Sequence, residues 1–284
     1  MSPDTKDWLW EIKPAGSLPD IKPAELLRYK DLVMRFVKRD HIVSYRQTVL
    51  GPLWVFLEPL IATYVYFMIF TRIFNIPTDN VPPQLFFLAG VVIWSFFSEA
   101  IGAISPVFHH NASVFSKVYF PRIIVPVSLV LSKLTRFGIQ CLMLLAMYLY
   151  YVLVEKTPVR PNIYLLLVPV LVLVTAFFSL GVGLVMAALA ARYRDVQNLM
   201  MFAIRLMMFA TPVFYPFSLV EEQYRFFLGL NPLTPILEAF RYALFGTGNL
   251  DWIHLLYGIA ATVVTFVVGL VAFGRVEQNV IDTV

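Results

Sequence analysis

Five charged residues stand inside otherwise apolar runs of this sequence: Glu58, Glu99, Lys133, Arg136 and Arg205. A charge away from water is costly unless it is paired or wet, so each is a functional candidate. At a helical rise of about 1.5 Å per residue, Glu58 lies roughly 9 Å inside its run and the other four roughly 10–17 Å deep. All five fall in the same half of their runs, so two acids and three bases can form one polar layer. Two readings stand. Salt bridges could lock helices together, which is the simpler reading for Glu58 and Glu99. Alternatively the layer is a wet vestibule for a polar or anionic substrate. The basic trio fits either, because one base has no acid to pair with among the five.

Aromatic residues are the second resource. Tyr64, Tyr66, Phe67 and Phe70 lie on the first apolar run, and Phe86, Phe87, Trp94, Phe96 and Phe97 on the second. Sugar rings stack their C–H faces on aromatic rings, and Tyr and Trp add hydrogen bonds. Tyr64, Phe67, Trp94 and Phe97 are therefore candidates for a glycan path. The competing reading makes the aromatics interface anchors or lipid-facing bulk.

Other chemistries find no support. The sequence has no G-x-x-x-x-G-K-[ST] phosphate loop, no H-E-x-x-H and no G-x-S-x-G. His109 and His110 are adjacent, while His41 and His254 are isolated. The single cysteine, Cys141, sits in an apolar run, which excludes a disulfide framework or a cysteine metal site within one chain. No catalytic residue and no metal ligand is assigned. A membrane-embedded lipid-glycan transferase would need Glu99 as its base, with no histidine beside it in sequence.

The elements that hold these residues belong to a membrane. Hydrophobic residues make up 59% of the 284 and charged residues 14%, against about 25% charged in soluble domains. Mean hydropathy is +0.74. So little charge could not cover a soluble fold, and the sequence predicts an all-α membrane protein. The net charge of +4 comes from basic residues gathered near the N-terminus and in particular loops. That is a topology pattern rather than a nucleic-acid footprint. The first 50 residues hold no apolar core of a signal peptide, so a cleaved leader is not expected.

Residues 1–24, with Pro3, Pro14, Pro19 and Pro23 among charges, read as an irregular tail. Residues 25–46 set Leu26, Tyr29, Val33, Phe36 and Val37 on one side at helical spacing. Arg28, Lys30, Arg35, Lys38 and Arg39 cover most of the rest. This predicts an amphipathic helix in the membrane interface; docking on protein is the alternative, and the spanning run that follows favours the interface. Within a domain of residues 47–275, six spans are predicted at 52–74, 84–108, 125–154, 163–190, 198–217 and 252–273, each near the roughly 20 residues a bilayer requires. Segment 226–245, broken by Asn231, Pro232 and Pro235 and carrying Glu238 and Arg241, reads as short helices that dip in without crossing. Residues 276–284 form a terminal segment. With the N-terminus cytoplasmic, fourteen Lys and Arg fall on the inner side and five, Arg241 among them, on the outer, so both termini are expected inside. Ser179, Gly183, Ala187 and Ala191 recur every four residues, a register that permits close helix packing.

Several segments, in order, resemble one known family. "SYRQTVLGPLWVFLEPL" (44–60) resembles the start of the first span in ABC type-2 exporter permeases of the polysaccharide export group. "NASVFSKVYFPRIIVPVS" (111–128) and "RYRDV" (192–196) resemble their inner loops, and "TPVFYP" (211–216) and "LNPLTPILEAFRYALF" (230–245) their outer region. The similarity covers about residues 25–275 and is greatest to O-antigen (lipopolysaccharide) permeases. It implies six transmembrane helices with an N-terminal interface helix and short outer gate helices, 218–245, before the last span. It further implies a homodimer in the bacterial inner membrane, working with two separate ABC ATPase subunits that bind ATP and Mg, with no cofactor in this chain. Residues 109–117 would couple to the ATPase, through His109, His110, Asn111, Ser113, Val114, Phe115 and Lys117. The cargo would be an undecaprenyl-type lipid-linked glycan, met by Arg46, Glu58, Glu99, Arg136, Arg205 and the aromatic path; nucleic acid is not expected. Exporters of capsule, teichoic acid, another lipid or a drug on the same fold remain as alternatives, beside the transferase.

Overall fold

The computed structural model describes residues 28–281, leaving aside 47, 119, 158, 160, 161, 194 and 249. The expected tail at 1–24, residues 25–27 of the predicted interface helix and residues 282–284 lie outside the described residues. Every regular element among the described residues is helical.

Helix α1, Lys30–Tyr45, is amphipathic as its spacing predicts. Its apolar side docks on protein, however, where the sequence favoured lipid. Val33, Phe36 and Val37 are buried, and the Phe36 ring lies 5.8 Å from that of Phe120. The wall it meets is α6, Ile124–Leu153. Its 30 residues run about 45 Å, longer than a hydrocarbon core of about 30 Å, which leaves turns to spare at its N-terminal end. Arg28, Arg35, Lys38 and Arg46 stay exposed on the other side of α1.

The chain then pivots at Gly51, whose φ of +50° suits glycine. A 3-10 turn, Gly51–Leu53, leads into α2, Trp54–Tyr66, which continues as a π-helical stretch, Phe67–Ile73. Pro59 sits inside α2 and removes one ladder bond there. Helix α3, Pro83–Ile104, is the central post: most of its residues are buried, among them Leu85, Phe87, Leu88, Ile93, Phe97 and Ile101. Two one-turn helices follow, α4 (Val107–His110) and α5 (Ala112–Phe115), and then α6. A 3-10 turn, Ile163–Leu167, opens α7, Val168–Arg192. The remaining helices are α8 (Val196–Met207), α9 (Glu222–Gly229), α10 (Leu233–Phe245) and α11 (Trp252–Ile281).

Among the described residues, five helical runs are long and apolar enough to cross a membrane: Gly51–Ile73, Pro83–Ile104, Ile124–Leu153, Ile163–Arg192 and Trp252–Glu277. The expected span at 198–217 differs. Its helix, α8, stops at Met207, and residues 208–213 are turns. Pro212 explains the break, since it cannot donate to a helical ladder and disfavours helical geometry at Thr211. The Thr211 hydroxyl instead donates to the Met207 carbonyl at 2.7 Å and accepts from Asn231 at 2.8 Å.

Helices α7 and α11 pack backbone to backbone. A Cβ on Gly269 would lie 2.4 Å from the Gly181 carbonyl oxygen, and one on Gly181 would lie 2.7 Å from the backbone of Phe266. From the small-residue register, Ser179, Gly183 and Ala187 are buried, and Gly183 receives Ile104 of α3. The stripe therefore serves packing inside one subunit.

Contacts sort the helix ends into two faces. On one, Arg39 of α1 reaches Asn111, His109 reaches the Ala190 carbonyl, and Arg122 reaches Glu277 near the end of α11. On the far face, Asp79 meets Ser218, and the Tyr164 ring lies near those of Tyr242 and Trp252.

Candidate functional site

Arg136 of α6 is the centre of the intramembrane charges. Its guanidinium meets Glu58 of α2 at 2.5 Å and Glu99 of α3 at 3.3 Å. One cation therefore ties three helices together. The partners are unequal: the Glu58 side chain is 65% exposed and that of Glu99 24%. Glu99 is thus neutralised by a fixed cation, a poor arrangement for a general base. Lys133 stands half-buried one turn earlier on α6. Arg205 of α8 is exposed and makes no ion pair among the described residues; Arg46, at the end of α1, is likewise exposed. The five charges do not close into one layer.

Helix α1 borders this cluster. Asp40 accepts a hydrogen bond from Ser132 of α6. Burial pushes the Tyr45 phenol above its ordinary range; Arg136 pulls it back, and Glu99 and Asp40 raise it further. Tyr45 is thus within the field of the triad.

The segment expected to couple to an ATPase forms two single turns that meet at Asn111. Asn111 is buried: its side chain accepts from Arg39 at 3.2 Å and donates to the Val107 carbonyl at 3.1 Å. Val114 and Phe115 are half-buried, with the Phe115 ring 5.9 Å from Phe120. His109, His110, Ser113 and Lys117 are exposed. The candidates thus divide into anchors and a presented surface.

The aromatic candidates divide too. Tyr64 is 58% exposed and Phe67 half-buried. Trp94 and Phe97, expected on a glycan path, are buried in the core, with Phe97 stacked on Phe178 at 5.3 Å. The physical reason is the central place of α3, which other helices cover on several sides. Tyr66 and Phe70 pack against Phe214 with centroids 4.5 and 4.8 Å apart, sealing the π-helical end of α2 to the turns after α8.

The site that sequence reasoning missed is Arg241, counted there among the outer-side charges on a short helix that dips in. It is 4% exposed. Its guanidinium donates to the carbonyls of Pro212 at 2.5 Å and Val213 at 2.7 Å, and more weakly to that of Phe86 at 3.4 Å. It lies 3.6 Å from the centroid of the Phe86 ring and pairs with Glu238 at 3.6 Å. Gly90 makes the room, for a Cβ there would fall 2.6 Å from the guanidinium. Arg241 thus takes up carbonyls that the break after α8 leaves without helical partners. The signal was in the sequence: an arginine amid apolar residues at i+3 from a glutamate, downstream of a Thr-Pro break. Among the described residues, no cluster of His, Cys, Asp and Glu is placed to hold a metal ion.

The profile of one family, described as ABC-2 type transporter, matches residues 31–245 of this chain. The chain belongs to the ABC-2 type transporter family. It is a multi-pass membrane permease, the transport subunit of an ABC exporter. The permease is similar to the O-antigen export system permease protein RfbA of Myxococcus xanthus, with 30% identity over 76% of this chain and 81% of that protein. It is 26% identical to RfbA of Klebsiella pneumoniae over 88% of this chain and 93% of that protein. It is 24% identical to the capsule polysaccharide export inner-membrane protein CtrC of Neisseria meningitidis, over 90% and 94%. The matched residues of the permease hold the Arg136 triad, the two single-turn helices and the Arg241 knot.

Proposed function

We propose that this permease exports a lipid-linked polysaccharide of O-antigen type across the bacterial inner membrane. It works as a homodimer powered by ATP bound with Mg in two separate ATPase subunits. The observation that carries this reading is the similarity, along most of both chains, to O-antigen export permeases. Similarity to capsule exporters favours a capsule-type chain as the second cargo.

In this reading both termini are cytoplasmic, and α8 with the turns after it makes the sixth crossing. Exposed His109, His110, Ser113 and Lys117 meet the ATPase, while Asn111, Val114 and Phe115 hold that surface in place. Arg46 and Arg205, exposed, receive the anionic head of the lipid carrier, because guanidinium matches phosphate geometry. Arg136, already held by two carboxylates, keeps α2, α3 and α6 together. Glu58, Tyr64 and Phe67 border the path, and the buried Trp94 and Phe97 support its wall from behind.

The test is to purify the tagged permease from its native membranes and assay the preparation for ATPase. A stoichiometric ATPase subunit should copurify and be lost when His109, His110, Ser113 and Lys117 are replaced together by alanine. A permease that purifies without any ATPase overturns the reading.

A further inference from the structure

The far face carries a cavity of about 770 Å³ that neither the triad nor the coupling surface uses. This falls within the roughly 300–1,000 Å³ of ordinary ligand pockets. Four parts of the chain build it: the loop before α3, the turns and α9 after α8, α10, and the loop leading into α11. Three carboxylates line it, Asp79, Glu238 and Asp251. Two aromatic rings, Phe217 and Phe226, complete it.

The positive groups nearby are already engaged. Arg225 donates to the carbonyls of Val220 at 2.7 Å and Ser218 at 3.0 Å. His254 bonds Asp251 at 2.6 Å, and this bond holds the Asp251 carboxyl below its ordinary range. Arg241 is committed to its own knot. Asp79 keeps acceptor capacity, for it takes one hydroxyl, from Ser218, whereas Glu238 is already paired with Arg241 at 3.6 Å. Phe226 is 70% exposed, an open ring face beside these acceptors.

We propose that this cavity is an exit-side subsite for a short run of neutral sugar units of the exported chain. The inference rests on the polysaccharide reading above. Carboxylates accept from adjacent hydroxyls, and the open ring takes the apolar face of a pyranose. Three carboxylates against Arg225 and His254 line the cavity, a balance that favours the hydroxyls of the sugar chain over the lipid pyrophosphate. Contacts of this kind hold the emerging chain on the outer side and oppose its return.

The experiment uses the full permease with its ATPase, in spheroplasts, in a Cys141→Ser background. Thr247→Cys places a thiol in the cavity; Leu219→Cys places one on the same face, exposed but outside the lining. Both are labelled with a membrane-impermeant maleimide, in cells that make the lipid-linked glycan and in cells blocked at its first sugar transfer. Both thiols should label from outside. Glycan synthesis should slow labelling of Thr247→Cys severalfold and leave Leu219→Cys unchanged, and Phe226→Ala should abolish that protection. Equal labelling of Thr247→Cys in both cell types, or equal protection of both thiols, overturns the subsite and leaves the exporter reading standing. Failure of both thiols to label from outside overturns the topology on which both rest.

Discussion

Arg241→Met removes the guanidinium and keeps an unbranched apolar stem. Two short hydrogen bonds to the Pro212 and Val213 carbonyls disappear, with the weaker one to Phe86. A buried acceptor left without a donor costs about 1–3 kcal/mol. Glu238, its side chain 20% exposed, also loses its cation, and breaking a buried pair costs about 3–5 kcal/mol. The contact with the Phe86 ring adds about 1–2 kcal/mol. These effects share one group and do not add fully, so the net loss should be about 5 kcal/mol. The assay is unfolding of the purified permease by SDS in mixed micelles. Arg241→Met should unfold at a clearly lower SDS fraction than wild type. Adding Glu238→Gln should restore about 2–3 kcal/mol, because it deletes the stranded charge while leaving the carbonyls unpaired. An Arg241→Met permease as stable as wild type, or no recovery in the double variant, would refute the assignment of Arg241 as the tie between α10, α3 and the break after α8.

Three further outcomes follow from the same geometry. Arg136→Met should destabilise by about 3 kcal/mol, since it strands Glu99, whereas Glu58→Gln should cost under about 1 kcal/mol because Glu58 is largely solvated; the same SDS titration separates them. Gly269→Ala should cost about 1–3 kcal/mol, since its Cβ lands on the Gly181 carbonyl and only separation of α7 from α11 can relieve it; the isosteric site Gly138, with open space around it, is the control and should change stability little on conversion to alanine. Arg46→Gln and Arg205→Gln should each lower glycan export while the complex with the ATPase still assembles, and normal export in both would remove them from the path.

Much of this fold was legible because hydropathy and helical period act locally. The apolar side of α1, the five long runs and the short helices between Glu222 and Phe245 all follow from residue type and spacing. What the sequence could not fix was which surface covers each apolar side. Val33, Phe36 and Val37 look the same whether they meet acyl chains or α6. Trp94 and Phe97 look like path residues until α3 proves to be the central post. The end of α8 was readable in Thr211-Pro212, but a window of mean hydropathy averages over a proline. Arg136 was legible as a charge needing partners; that it takes both acids, leaving Arg205 outside, depends on how α2, α3 and α6 are arranged.

The two arginines fix α3 near its ends. Arg136 reaches it from α6 through Glu99, and Arg241 reaches it from α10 through Phe86 and the room at Gly90. The bonds that hold α2 are of another kind. Its link to α6 at Glu58 is exposed, and an exposed pair contributes at most about 1 kcal/mol. Glu58 can leave Arg136 without stranding a buried charge, because Glu99 still neutralises the guanidinium. Releasing Glu99 has no such compensation. Pro59 and the π-helical stretch loosen α2 further, each by breaking its regular ladder. Of the polar ties among these three helices, the exposed Glu58 pair is therefore the cheapest to break, and the one between Glu99 and Arg136 the costliest. The contrast between Glu58→Gln and Arg136→Met measures that difference directly.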